Sequence, residues 1–97
     1  MKAYVIGDIE MHDSARYDEY RKQVLPTIEK YGGRFLVRGG AAETLEGDWK
    51  PRRIVVLEFP DMSALKAWYN SPEYAPLIEL RQSASRGSLI AMEGVLP

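Results

Sequence analysis

The sequence contains 97 residues, of which 45% are hydrophobic and 28% are charged, as expected for a single soluble globular domain. Its formal net charge of −1 argues against nucleic-acid binding, because a protein that binds phosphates needs a basic surface. Cysteine is absent and His12 is the only histidine, which excludes disulfides and zinc sites built on cysteines or on several histidines.

No apolar run approaches the roughly 20 residues that cross a bilayer, so we expect no membrane-spanning segment. The apolar stretch near the N-terminus is broken by Gly7 and Asp8 and does not have the pattern of a signal peptide. We therefore expect a cytoplasmic protein that contacts neither membranes nor nucleic acids and that carries no metal and no other bound cofactor.

Alternating apolar and polar residues predict four strands, at residues 3–11, 34–38, 53–59 and 88–95. The second and third strands are joined by a polar connection at residues 39–51, which contains glycines and turn-forming residues.

A first helix is predicted between the first two strands. It runs from a cap at Asp13 or Ser14 to about Tyr31, because apolar residues recur there at three- and four-residue spacing. Pro26 lies inside this segment and is expected to kink or restart the helix, since proline has no backbone donor.

A second helical unit is predicted in two pieces between the third and fourth strands. Asp61 caps the first piece, and the chain breaks at residues 70–73. The second piece restarts with Ser71 as its cap and Pro72 at the first helical position. The apolar stripes of the two pieces are Leu65, Trp68 and Tyr69, and Tyr74, Leu77, Ile78 and Arg81.

The resulting order β-α-β-β-α-β predicts an α+β, ferredoxin-like domain over residues 1–97, with a four-stranded antiparallel sheet and two helices on one face. The other face would be bare in a monomer. We place there the apolar residues Tyr4, Ile6, Leu36, Ile54, Val56 and Leu89. Because so large an apolar patch is unfavourable in water, we expect a two-fold homodimer in which this face packs against its copy.

Charged residues on the same face must find partners or line a wet cavity. Arg38 is predicted to lie there at a strand end, where Gly39 lets the backbone come close. Its candidate partners are Glu58, Asp8 and Glu93, and they form either a ligand site or interior salt bridges that bind no ligand.

Several segments together carry a resemblance to a known family. They are Tyr17-x-x-Tyr20, Tyr31-Gly32-Gly33-Arg34, Val37-Arg38-Gly39-Gly40, Leu45-Glu46-Gly47-Asp48-Trp49, Leu57-Glu58-Phe59-Pro60, Trp68-Tyr69-Asn70-Ser71-Pro72-Glu73-Tyr74 and Leu80-Arg81. The chain resembles the small bacterial family called domain of unknown function 1330, within the dimeric α/β-barrel superfamily. The resemblance implies a homodimer of ferredoxin-like protomers. Relatives in that superfamily include cofactor-free oxygenases, lactone isomerases, haem-handling enzymes and simple binding proteins.

These observations favour a pocket between sheet and helices for a small anionic or phenolic compound, in a cofactor-independent enzyme of the oxygenase or isomerase type. Arg38 and Arg81 would hold a carboxylate or enolate, and either Glu58 or His12 would move a proton. The predicted ligand-binding residues are Arg81, Trp68, Tyr69, Ser71 and Tyr74.

Other interpretations of the same residues remain open. The pocket could serve a non-catalytic ligand-binding or stress-associated dimer, or His12 could bind haem. Arg81 could extend over apolar surface to a carboxylate or carbonyl, and Ser71 could serve only as a helix cap. Trp49, in the polar connection, is expected at a dimer contact or in a lid. The sequence alone does not decide whether the protein is an enzyme.

Overall fold

The computed structural model describes residues 1–96 and has the predicted order of elements. The strands are β1 (Ala3–Met11), β2 (Arg34–Arg38), β3 (Ile54–Phe59) and β4 (Ser85–Glu93), and the helices are α1 (Ser14–Lys30), α2 (Met62–Tyr69) and α3 (Ala75–Ala84). The strands form one antiparallel sheet in the order β2-β3-β1-β4, with the helices on one face. This is the α+β, ferredoxin-like fold. Among residues 1–96, no helix combines the length and apolar character that crossing a bilayer requires.

Two of the predicted helix caps are confirmed. Asp13 Oδ1 accepts a hydrogen bond from the Arg16 amide at 3.0 Å, and Asp61 Oδ1 accepts one from the Ala64 amide at 2.8 Å. Each bond satisfies a backbone donor that the first turn of a helix leaves free. Of the two effects expected of Pro26, a kink or a restart, the restart does not occur: α1 continues through it, because a single proline removes only one hydrogen bond of the helix.

The break between α2 and α3 is organised by Ser71. Its hydroxyl accepts a hydrogen bond from the Tyr74 amide at 3.2 Å and donates one to the Trp68 carbonyl at 2.7 Å, so Ser71 caps this turn as predicted. Regular helix nevertheless begins only with α3, and not at Pro72. The reason is that Pro76 has no N–H with which to bond the Pro72 carbonyl.

The core lies between the sheet and the helices. Trp68 is central to it, because its ring stacks on Tyr74 with centroids 4.1 Å apart and packs against Phe59 at 5.4 Å. Its indole N–H donates to Thr27 Oγ1 at 3.1 Å, which gives the one polar atom of the ring a partner. Trp68 thereby joins α1, α2, β3 and the start of α3.

A β-bulge in β2 changes the face to which its last residues belong. The register shifts between Phe35 and Val37, so that Val37 lies opposite Val56, and Arg38 opposite Val55. A bulge adds one residue and reverses the alternation beyond it. The prediction that Arg38 lies on the open face is therefore wrong: Arg38 lies on the helix face.

The last strand also differs from the prediction. Leu89 pairs with Gly7, and Ile90 pairs with Ile6, so Leu89 faces the helices while Ile90 and Met92 face the open side. The prediction placed Leu89 on the open face. The alternation of apolar and polar residues does not show which side chains of β4 face the helices, because both alternating sets contain apolar residues.

The open face remains largely apolar, as predicted, and no helix of residues 1–96 covers it. Its apolar side chains include Ile6, Val37, Ile54, Val56, Ile90 and Met92. Glu58 also lies there and already has two partners, the Tyr4 hydroxyl at 3.1 Å and Arg34 Nε at 3.0 Å. The predicted pair of Glu58 with Arg38 is therefore wrong.

Glu73 ties the C-terminal end of α1 to the turn between α2 and α3. Its carboxylate forms an ion pair with Lys30 and accepts a hydrogen bond from the Tyr31 hydroxyl at 3.0 Å. The hydrogen bond from Lys30 is the main reason that the pKa of Glu73 is lowered from 4.5 to about 2.

This shift predicts an acid-dependent loss of stability. Since the pKa is lower in the folded state, the stabilisation is present above the unfolded-state value of 4.5 and is lost as the pH falls towards 2. We expect Glu73→Gln to lower the thermal midpoint at neutral pH and to flatten its fall between about pH 5 and about pH 2. Glu79→Gln, in an exposed carboxylate of α3, is the control. If the thermal midpoint fell equally steeply with pH in Glu73→Gln and in Glu79→Gln, Glu73 would not be the source of the acid-dependent loss of stability.

Candidate functional site

A small cavity lies between the sheet and the helices, with a volume of about 30 Å³. Its lining combines aromatic rings with arginines and contains no aspartate or glutamate from residues 1–96. The aromatic residues are Tyr17, Tyr20, Phe35, Trp68 and Tyr74, and the arginines are Arg21, Arg38, Arg53 and Arg81. We call this space the arginine cavity.

Arg81 is the most buried of these arginines, with 7% of its surface exposed. It occurs on the buried stripe of α3 together with Leu77 and Ala84, at helical spacing. Its Nε is buried without a hydrogen-bond partner, and within residues 1–96 it forms no ion pair. Arg81 is therefore a buried cation for which the described chain supplies no counter-charge, and such burial opposes folding.

Arg53 reaches the cavity from the residue before β3. Its guanidinium carbon lies 5.7 Å from the centroid of the Tyr17 ring, and its Nε is also buried without a hydrogen-bond partner. Gly39 makes room for it, because a Cβ at that position would lie 2.1 Å from Arg53 Nη1. Gly39 also has a φ of +72°, a conformation that favours glycine.

Arg38 lies at the exposed rim of the cavity. Its guanidinium carbon is 4.2 Å from the centroid of the Phe35 ring, and Nη2 donates a hydrogen bond to the Arg21 carbonyl at 2.8 Å. The bulge in β2 thus brings Arg38 to the same cavity as Arg81, although by a route that the sequence pattern did not predict.

Two buried tyrosine hydroxyls meet at the cavity. The hydroxyl oxygens of Tyr20 and Tyr74 are 2.8 Å apart. Burial raises the pKa of Tyr20 far above its ordinary value. Burial also raises the pKa of Tyr74, while the hydrogen bond with Tyr20 and the charge of Arg81 act in the opposite direction. Both phenols are therefore protonated at neutral pH. One donates a hydrogen bond to the other, whose own O–H remains available as a donor, and neither acts as a base.

The structure does not bring the predicted proton-transfer groups to this cavity. Glu58 lies across the sheet on the open face, and His12 is exposed in the turn after β1, where its amide donates to the Ala84 carbonyl at 3.0 Å. Within residues 1–96, no three His, Asp or Glu side chains converge as a metal site.

The other predicted residues divide between the cavity and its surroundings. Trp68 and Tyr74 line the cavity, whereas Tyr69 lies outside it, in a neighbouring groove. The hydroxyl of Ser71 is already used in capping. Sequence reasoning missed Arg53, although its spacing of two from Val55 could have placed it on the helix face.

Asp8, predicted as a partner of Arg38, binds the connection between β2 and β3 instead. Its carboxylate accepts hydrogen bonds from the Trp49 indole at 2.8 Å and from the Arg52 amide at 2.9 Å. The bond from the Arg52 amide contributes most to lowering the pKa of Asp8. The connection is thereby fixed to β1 on the open face, and Trp49 remains 62% exposed.

The fold and the cavity thus define a ferredoxin-like α+β protein with a cationic, aromatic site. The family model described as Domain of unknown function (DUF1330) matches residues 2–95, so the chain belongs to this family. No curated protein matches the sequence.

Several solved structures are similar. A protein of unknown function from Rhodopseudomonas palustris is 19% identical with a TM-score of 0.79, and the match covers 99% of this chain and 84% of that chain. A dimeric ferredoxin-like protein of unknown function from Jannaschia sp. CCS1 is 15% identical with a TM-score of 0.72, covering 97% and 100%. SnoaB, a cofactor-independent oxygenase from Streptomyces nogalater, is 12% identical with a TM-score of 0.66, covering 99% and 95%. At these identities the likeness shows the fold alone.

The uncompensated charge of Arg81 leads to a prediction about stability. We expect Arg81→Met to raise the free energy of unfolding of the ligand-free protein by about 1–3 kcal/mol, because an apolar side chain replaces a buried cation that has no counter-charge and whose Nε has no acceptor. Arg16→Met, in an exposed arginine of α1, should leave it nearly unchanged. Denaturant unfolding measures both, and a large loss of stability in Arg81→Met would mean that the guanidinium has a structural partner.

Proposed function

We propose that the protein binds a small anionic or phenolic compound in the arginine cavity. The observation that carries this proposal is the pair of buried Nε donors of Arg53 and Arg81, which have no acceptor in the structure. A carboxylate or phenolate would supply acceptors for these donors and would neutralise a charge that residues 1–96 leave unpaired.

The remaining lining supports an aromatic or otherwise planar ligand. The rings of Trp68 and Tyr74 line the cavity, and the part of the ligand next to its charged group would contact them. An oxyanion of the ligand would accept hydrogen bonds from a guanidinium and from the tyrosine pair of Tyr20 and Tyr74. The same donors would favour the ionised form of a bound phenol or enol.

Two activities are compatible with such a site. Stabilisation of an enolate or phenolate is what a cofactor-independent oxygenase or isomerase requires, and SnoaB, which shares the fold, is described as a cofactor-independent oxygenase. The cavity lining favours the second activity, non-catalytic binding of a compound that is already ionised. No carboxylate or imidazole from residues 1–96 lines the cavity to remove a proton.

The binding proposal predicts a dependence on ligand charge. We expect benzoate and salicylate to raise the thermal midpoint, and the uncharged isostere benzamide to have little effect, because binding to the native state stabilises it by mass action. Calorimetric titration should give an affinity for benzoate that is lower by roughly 10- to 100-fold in Arg81→Met, the usual effect of losing a charged hydrogen bond.

The matched control is Arg16→Met, which removes an exposed arginine outside the cavity. It should bind benzoate as the wild type does. Equal affinity for benzoate and benzamide, or unchanged binding by Arg81→Met, would overturn the proposal.

We also propose that the protein is a homodimer that buries the open face of the sheet. Its apolar side chains are uncovered in one protomer, and the similar protein from Jannaschia sp. CCS1 is described as dimeric. Packing this face against its copy would remove the apolar patch from water.

A charge at the centre of the face tests this assembly. Ile6 lies between Val56 and Ile90 in the sheet, so we expect Ile6→Glu to shift the molecular mass in light scattering from dimer to monomer. Leu25→Glu, at a 36% exposed position on α1, should remain dimeric. A dimer that persists in folded Ile6→Glu would place the interface elsewhere.

A further inference from the structure

The arginine cavity can enclose the charged group of an organic anion such as benzoate, but it has no room for the rest of the molecule. The cavity volume of about 30 Å³ holds no more than a few water molecules. Small-molecule sites commonly enclose about 300–1,000 Å³. An organic anion that reaches Arg81 therefore needs additional space beside the cavity.

Such a space lies next to it, between α2 and β4. This groove has a volume of about 500 Å³, within the range of small-molecule sites. Most of its surface is apolar, with Lys66 and Asn70 among its polar side chains. The groove is also lined by the side chains of Leu65, Tyr69 and Ala91, and by Ile90 of β4, whose side chain points to the open face. We call it the α2–β4 groove.

Two side chains, Val5 and Leu89, line both the cavity and the groove. Val5 is buried in a central strand, whereas Leu89 is half-buried in the edge strand β4. Leu89 lies directly over Gly7, since its Cδ2 is 2.5 Å from the position that a Cβ of Gly7 would occupy. A change of the Leu89 rotamer would leave that space open, because Gly7 has no side chain to fill it.

We infer that the ligand is an extended amphipathic carboxylate whose charged group lies at Arg53 and Arg81 and whose apolar body passes Leu89 into the α2–β4 groove. This inference rests on the proposed function, because it places an anion in the arginine cavity. It adds the substrate class: a carboxylate with an apolar body longer than a compact ring. The charge of the cavity matches the head group, and the apolar lining of the groove matches the body.

A chain-length series tests the inference. We expect calorimetric titration with butyrate, hexanoate and octanoate to give an affinity that rises roughly fourfold for each methylene entering the groove. Ala91→Trp fills the groove from an exposed position that does not line the cavity. It should flatten the series, and it should weaken butyrate, which reaches least far into the groove, much less than octanoate. Ala75→Trp, at an exposed position that lines neither space, should retain the full series.

A second variant keeps the test decisive if Ala91→Trp does not fold. Leu89→Ala removes the side chain between the two spaces, so octanoate should bind more tightly or associate faster while butyrate changes little. Arg81→Met should weaken every member of the series by the same factor, because each shares the carboxylate.

The outcomes separate the two proposals. Arg81-dependent binding of butyrate without a rise along the series, or a rise that Ala91→Trp leaves intact, would overturn the extended ligand and leave the anion site standing. Failure of every carboxylate to bind in an Arg81-dependent manner would overturn both.

Discussion

The guanidinium of Arg81 is buried among aromatic side chains without a carboxylate partner from residues 1–96, and the helix face is arranged around that charge. Removing an arginine from water without an opposite charge opposes folding. The surrounding structure offsets this with dense aromatic packing, in which Trp68 stacks on Tyr74 and Tyr74 bonds to Tyr20. The proposed anionic ligand would supply the missing opposite charge.

Local signals were sufficient for most of the fold. The bounds of β1 and β2 follow from simple alternation, and the caps at Asp13 and Asp61 follow from the preference of helix starts for short acceptor side chains. The start of α3 was predicted less well. Pro76 cannot form the helical hydrogen bond to the carbonyl four residues earlier, and the cap at Ser71 does not reveal this.

The candidate site was less accessible to sequence reasoning. Arg38 was assigned to the wrong face because a bulge depends on how two strands pair, and one strand alone does not reveal it. Arg53 was missed because its face was not assigned, although it was included in the predicted strand at residues 53–59. Of the partners proposed for Arg38, Glu58 and Asp8 are bonded elsewhere on the open face. Glu58 bonds to Tyr4 and Arg34 on the open face, whereas Arg38 lies on the helix face.

β1 belongs to both faces and separates them by the thickness of one strand. Val5, Gly7 and Ile9 point towards the helices, and Ile6 and Asp8 point towards the open side. The floor of the cavity and the proposed dimer surface are thus made of neighbouring residues in one segment. A backbone shift caused by packing at Ile6 on the open face would also move Val5 and Gly7, which are its direct neighbours in the chain and face the helices.

The contact between Gly39 and Arg53 has a genetic consequence. A side chain at position 39 would occupy the space of the Arg53 guanidinium, which lies 2.1 Å from the position of such a Cβ. Part of the effect of replacing the glycine is therefore exerted through the arginine. The two positions form an epistatic pair: once Arg53 has been shortened, substitution of Gly39 loses its steric component and retains only the strain of its positive φ.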